Sequence, residues 1–316
     1  MRALLVVNPK ATTTTERSRD VLVRALRSQV DLTVEYTRRR GHAAALTRAA
    51  AESGVDVVVT LGGDGTVNEA VNGLMTAESA WAAGTVALAY RLPALAVVPG
   101  GSTNVFARAL GLPRDWVEGT GAILAGMRDG RHRVIGLGRA DDRYFTFCAG
   151  MGLDAAVVRR VEQARLRGRT STPGLYVRSM VGQLLTGEDR KSPPLALERP
   201  GEPTETDLGT VIIQNTAPWT YVGDRPINPN PDASFDHGLD VLALRQLKVG
   251  STARTVRQMV SRRGDPHGRQ VLRLHDQAEF TVVADRPQPF QLDGDYLGER
   301  QKVHVVSVPE ALRVIC

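Results

Sequence analysis

The run Leu61-Gly62-Gly63-Asp64-Gly65-Thr66-Val67-Asn68-Glu69 constrains this chain more than any other, because it joins a β-like segment to a helical one through three glycines and one carboxylate. Upstream, Val55 to Thr60 is short, β-branched and nearly all apolar, as a strand buried on both faces of a parallel sheet must be. Downstream, Thr66 to Met75 reads as an amphipathic helix. Glycines 62, 63 and 65 permit positive φ and let a ligand approach the backbone. The amides that open the helix face that ligand with the positive end of the dipole. The pattern suits a nucleotide phosphate. Asp64 would be repelled by phosphate, so it is expected to meet a Mg²⁺ ion or a screening water. The competing reading is a tight strand-to-helix connection that binds nothing.

A second copy of this grammar weakens the competing reading. Leu95 to Val98 is an apolar strand, Pro99-Gly100-Gly101 a turn, and Ser102-Thr103-Asn104 opens a helix over Val105 to Leu110. Ser102 and Thr103 are also candidate N-caps. Two such loops at successive strand ends imply one crevice outside the carboxyl ends of a parallel sheet. Ala3 to Val7 is a third buried-strand run, ending in Asn8-Pro9, where a further loop would meet the same crevice. Glu16 to Ser28 reads as helix, Asp31 to Tyr36 as strand with Thr37 at its end, and Gly41-His42-Ala43 opens a helix that runs to about Ser53. His42, at a helix start, reads as a cap or a nucleotide neighbour. The βαβαβα order predicts a Rossmann-like parallel α/β domain.

After about residue 131 the texture changes. Arg133 to Arg139 and Arg143 to Cys148 flank an Asp141-Asp142 turn and predict a hairpin. Further strands are expected at Thr210 to Gln214, Leu239 to Arg245, Val271 to His275, Glu279 to Ala284 and Pro289 to Leu292, with helices over Leu153 to Arg167 and Gly174 to Leu185. Residues 191 to 207 read as an exposed hairpin or loop. This predicts a second, antiparallel β-sandwich domain over residues 132–304, with 1–131 and about 305–316 forming the first. Leu292-Asp293-Gly294-Asp295, taken alone, is a β-turn signal.

Composition sets bounds. A chain of 316 residues, 42% hydrophobic, can bury two cores. No apolar run approaches the ~20 residues that span a bilayer, and Met1-Arg2-Ala3 leads into a strand pattern instead of a signal peptide, so a cytoplasmic protein is expected. Cys148 and Cys316 suggest neither a disulfide framework nor a zinc site. The net charge of +6 comes almost entirely from Arg. Arg159, Arg160, Arg165, Arg167, Arg169 and Arg178 cluster on and after one predicted helix, where they read equally as solvated surface or as a patch for anionic lipid headgroups. Few aromatics (5%) and no recognisable binding motif count against nucleic acid. Oligomeric state stays open, a homodimer included.

Taken together, the Gly62 to Glu69 loop, Asn8-Pro9, Thr37 with Gly41-His42-Ala43, and Gly100 to Arg108 resemble the diacylglycerol kinase catalytic-domain superfamily, which also includes sphingosine and ceramide kinases. The resemblance implies an ATP site built from Asn8, Pro9, Thr37, His42, Gly62, Gly63, Asp64, Gly65, Thr66, Asn68, Glu69, Gly101, Ser102, Thr103 and Asn104, with Asp64 joined to Mg²⁺ through water. It implies a lipid kinase whose active site lies between the two domains, peripheral at an anionic membrane surface. It places Asp293 as the general base with Asp64 as a second catalytic residue, and counts Asp295, where the family has Glu, among the cofactor-binding residues. The acceptor is expected to be diacylglycerol or a related lipid, with a sphingoid base, ceramide or a catalytically silent sensor as alternatives. Two departures stand out. Ala233-Ser234-Phe235-Asp236-His237-Gly238-Leu239 has imidazole where the family has a second carboxylate near a structural Mg²⁺, leaving Asp236 as a weak metal candidate. Val105 stands where diacylglycerol kinases usually have Asp.

Overall fold

The structure is a computed structural model that describes residues 1–12, 15–77, 80, 87–167, 178–179, 182–183, 192–261 and 264–316. It divides into two compact units, Met1–Leu137 with Val308–Cys316, and Gly138–Ser307. Both divisions fall inside strands, where no change of composition marks them.

In the first unit β1 (Arg2–Val7), β2 (Asp31–Tyr36), β3 (Val57–Gly62) and β4 (Ala94–Pro99) lie parallel in the order β2-β1-β3-β4. The end of the last strand, β16 (Asp295–Ile315), joins in parallel with Val314 opposite Leu95. Every residue of β3 and β4 is buried, which is why both read as unbroken apolar runs. The connecting helices are α1 (Glu16–Arg27), α2 (His42–Glu52), α3 (Asp64–Met75), α4 (Leu88–Arg91), α5 (Val105–Ala109) and α6 (Trp116–Asp129). Leu22 and Leu26 of α1, with Ile123 and Met127 of α6, pack on Leu5, Val7, Val59, Leu61, Ala96 and Val98. Helices α2 and α3 cross at Gly73, where a Cβ would stand 2.1 Å from the Thr47 hydroxyl. The strand order reverses between β1 and β3, and such a switch point opens a crevice at the carboxyl ends of the strands.

In the second unit β7 (Cys148–Gly152), β10 (Thr210–Gln214), β13 (Leu239–Leu244) and β14 (Val271–Gln277) are antiparallel neighbours. The long β15 (Glu279–Leu292) pairs with β8 (Leu195–Glu198) over its first half and with β7 over its last three residues. One hydrogen-bonded path therefore turns over on itself as a sandwich around Phe145, Met151, Leu197, Val211, Val241, Phe280, Phe290 and Val303. Helix α7 (Leu153–Leu166) packs against β7, β10 and β15.

The structure differs from the reading of the sequence at three places, and one expectation falls largely outside the described residues. Glu279 to Ala284 and Pro289 to Leu292 are one strand, because a shift of register between Val283 and Gln288 carries Pro287 past the ladder. The hairpin expected within residues 191 to 207 is formed by β8 and β9 (Glu205–Leu208), but it is not wholly exposed, since Leu195, Leu197 and Leu208 enter the core. A further helix, α8 (Val249–Val260), was not anticipated, since its buried face is Thr252, Thr255 and Met259. The helix expected over Gly174 to Leu185 lies mostly outside the described residues.

Candidate functional site

The loops that follow the four parallel strands are tied to one another by the glycine-rich segment. Asn8, at the end of β1, donates from its amide to the Thr66 hydroxyl (3.0 Å), and its backbone N–H donates to the Leu61 carbonyl (2.9 Å). Its Oδ1 accepts from the Lys10 N–H at 3.0 Å, which shapes the turn containing Pro9. After β2, the Thr37 N–H bonds to the Val7 carbonyl (2.9 Å). The Gly100 N–H donates to the Gly62 carbonyl at 2.8 Å, and Gly63 and Gly101 are in backbone contact. A Cβ on Gly101 would lie 2.7 Å from the Gly63 Cα, so neither position has room for a side chain there. Gly62 is equally confined, since its Cβ would meet the Thr66 hydroxyl at 2.6 Å.

Both carboxylates of the loop bind amides on neighbouring loops. Asp64 accepts from the Val105 N–H (3.0 Å) through Oδ2 and from the Phe106 N–H (3.1 Å) through Oδ1, so it supplies the cap that opens α5. The N-cap position itself is Asn104, in the left-handed region at φ 50°, and its side chain closes on the Gly101 N–H and carbonyl instead. Ser102 and Thr103 are thus not the caps that the sequence allowed. Ser102 is exposed at the loop tip, beside a half-buried Thr103. Glu69 accepts from the Gly41 N–H (2.7 Å) and the Ala43 N–H (3.1 Å), which fixes the start of α2. His42 takes part in this turn through Nδ1, which accepts from the Arg38 N–H at 3.2 Å. Asn68 is buried and accepts from the Asn72 amide at 3.2 Å, so it faces the body of α3. Helix α3 begins at Gly63 with no side-chain cap.

In the second unit, Asp293 is 5% exposed and accepts four hydrogen bonds. Oδ2 takes the Thr146 N–H (2.7 Å) and hydroxyl (2.9 Å), and Oδ1 takes the N–H groups of Phe147 and Cys148, both at 3.0 Å. Its own N–H donates to the Cys148 carbonyl at 2.8 Å. These bonds fill the four acceptor positions of a carboxylate. Receiving a proton from a substrate would require breaking one of them. Asp293 (φ 47°) and Gly294 (φ 81°) form the two-residue turn between β15 and β16, with Leu292 opposite Asp295. Asp295, half-buried, opens β16.

Beneath that turn is a carboxyl group that the sequence did not single out. Asp154, on the first turn of α7, accepts from the Gln291 amide at 2.8 Å, and Gln291 accepts from the Gly294 N–H at 2.9 Å. Burial pushes the Asp154 carboxyl up from 3.8 to about 7, while the Gln291 bond acts against the rise.

The candidate metal positions are occupied as follows. Asp236 is exposed and contacts the Ser234 hydroxyl at 3.4 Å. The His237 ring stands edge-on to His275 at 5.6 Å. His275 is held by the buried Asp240 at 2.8 Å, and that hydrogen bond raises its pKa. Among the described residues, no group of three or more His, Cys, Asp or Glu converges as a metal site. Of the arginines, Arg159 pairs with Glu299 at 3.0 Å and Arg160 donates to Gln183 at 2.8 Å. Arg169 and the Arg165 side chain lie outside the described residues. No helix among the described residues is long and apolar enough to cross a membrane.

Comparison with known proteins places these features. The family model of the diacylglycerol kinase catalytic domain matches residues 2–140. A diacylglycerol kinase of Bacillus subtilis is 28% identical over 268 residues, covering 80% of this chain and 76% of that protein. A Chromohalobacter salexigens protein named "Probable lipid kinase YegS-like" is 34% identical over 153 residues, 48% of this chain and 44% of its own length. The crystal structure of a diacylglycerol kinase from Bacillus anthracis superposes with a TM-score of 0.72 over 99% of this chain and 96% of that one, at 20% identity.

Proposed function

We propose, from the premise that this chain belongs to the diacylglycerol kinase catalytic-domain superfamily and is a lipid kinase, that it transfers the γ-phosphoryl group of ATP to the hydroxyl of diacylglycerol or a related lipid. The observation that carries the nucleotide half is the β1/β3 switch point, where the Gly62–Glu69 segment is bonded to all three neighbouring loops while the start of α3 has no side-chain cap. The phosphates would lie against the amides at Gly63 to Gly65, where a side chain would block their approach. With both oxygens turned to α5, Asp64 fits a hydrated Mg²⁺ held through water better than a directly bound ion. When bound, that ion would neutralise charge on the transferring group. The acceptor hydroxyl attacks the γ-phosphorus as the bond to the leaving ADP breaks, and the hydroxyl proton passes to a carboxylate. Of the two carboxylates at the β15–β16 turn, Asp295 is the better candidate base, because Asp293 is committed to Thr146, Phe147 and Cys148. The lipid would be met at a membrane surface by the peripheral protein, which the net charge of +6 favours where the lipids are anionic.

The test is transfer of labelled γ-phosphate from ATP with Mg²⁺ into diacylglycerol, monoacylglycerol, sphingosine and ceramide in mixed micelles. Label in a glycerolipid, reduced about a hundredfold in Asp64→Asn, is the expected result, with about 1 kcal/mol of stability lost because the amide keeps one acceptor for the Val105 and Phe106 N–H groups. Label in a sphingoid lipid alone would move the acceptor to that class. ATP binding with no transfer to any lipid would favour a sensor.

A further inference from the structure

The chain Asp154–Gln291–Gly294 has no part in phosphate binding, yet it ends on the turn that presents Asp295. It is built at a cost. Gly150, on β7, lies directly opposite Gln291 in the sheet register, and a Cβ there would come within 1.7 Å of Asp154 Oδ2. The strand therefore gives up a side chain so that a carboxyl group can lie over it. The Asp154 N–H donates to the Thr210 hydroxyl on β10 (3.2 Å), which in turn donates to the Met151 carbonyl (3.3 Å), so the carboxyl is fixed from its own backbone as well.

Gln291 is 1% exposed and its amide is polar in one sense only, with its N–H toward Asp154 and its oxygen toward Gly294. An ionised Asp154 strengthens that orientation, and a protonated one weakens it. We propose that Asp154 is a positioning residue which, through Gln291, holds the Asp293–Gly294 turn and couples the placement of Asp295 to its own protonation state. This rests on the reading of Asp295 as the base.

The groups around Asp154 leave it free to respond. Its pKa sits close to neutrality through burial alone, since no neighbouring charge contributes. From β15, Gln291 faces it, and the Asp293 carboxylate is turned to the amides of residues 146–148. From β7 come Gly150 and the Cys148 thiol, which lies 3.7 Å from the Gln291 amide. From β10 comes Thr210, on a strand with no charged residue. On α7 itself, Arg159 is paired with Glu299 and Arg160 with Gln183.

The experiment follows the Gly294 amide directly by NMR. Labelling glycine with ¹⁵N and the aspartate carbonyl with ¹³C selects glycines that follow aspartate, which in this chain are Gly65, Gly130 and Gly294. Gly294→Asn, which tolerates the positive φ, identifies the third signal by its loss. From about pH 5 to about pH 9 the Gly294 signal is expected to move with a midpoint near neutrality, and to stop moving in Asp154→Asn and in Gln291→Leu. The kcat for phosphate transfer should rise through the same midpoint with the KM for ATP unchanged, lose that limb in Asp154→Asn, and fall about tenfold in Gln291→Leu. A Gly294 signal that stays fixed, or that still titrates in Asp154→Asn, overturns the proposal. If the wild-type protein transfers no phosphate, the reading of Asp295 fails, and the amide titration still decides the role of Asp154.

Discussion

The two units use their carboxylates in opposite ways. In the first, Asp64 and Glu69 each bind two amides at the start of a neighbouring helix, so their charges are compensated by dipoles and hydrogen bonds. In the second, Asp293 has four donors, whereas Asp154, in the same unit, has a single amide from Gln291 and is otherwise desolvated. Burial alone therefore does not set the behaviour of an acid. The number of donors aimed at it decides whether the ionised form is supported or resisted.

The sharpest way to break this comparison is to remove the best-compensated carboxylate. Asp293→Ala leaves three buried N–H groups and the Thr146 hydroxyl without their acceptor, and is expected to destabilise the second unit by about 4 kcal/mol, read as a fall in denaturant midpoint. A loss below about 1 kcal/mol would show that water replaces the carboxylate there.

Asp154 should show a smaller effect that depends on pH. Its folded pKa of about 7 lies above the ordinary value of 3.8, so the folded protein binds a proton that the unfolded chain releases. Its contribution to stability is fully present below about pH 4 and is lost as pH rises through about 7, to an upper limit of about 4 kcal/mol. Asp154→Asn should remove that slope, so the variant gains on the wild type between pH 5 and pH 8 by up to about 3 kcal/mol in parallel urea titrations. A constant difference across the range would mean that the carboxyl does not titrate there. Glu69→Gln should have the mildest effect. The amide retains one acceptor for Gly41 or Ala43 but not both, so about 1 kcal/mol is expected, with exchange of the unserved amide faster than in wild type.

What could be read from the sequence followed the strength of local patterning. Strands β1, β3 and β4 are nearly continuous apolar runs ended by Gly or Pro turns, and β2 alternates polar with apolar residues, so both the α/β class and the main loop positions were legible. Helix α8 was missed, because its buried face is mostly threonine with a single large apolar residue, Met259. Strand β16 was not read as a strand, because Glu299, Arg300, Gln301 and Lys302 interrupt its middle. The same limit applies to the site. A glycine-rich loop announces a close backbone approach, but a carboxylate capping a helix forty-one residues away leaves no trace in spacing. Asp293 stood out by its turn, while its four donors follow from the pairing of β15 with β7. Asp154 became visible only once that register set Gly150 opposite Gln291.

The discontinuity of the first unit bears on how the protein is made. Residues 308–316 complete its sheet and place Ile315 in its core, but the whole of residues 138–307 must leave the ribosome before they do. At ~5–20 residues per second that interval is on the order of ten seconds or more, during which the outer edge of β4 lacks its final neighbour. A nascent chain in that state presents an unpaired, apolar sheet edge, the kind of surface that chaperones shield. A fragment ending near residue 137 would keep that edge permanently open, and should aggregate where the full chain does not.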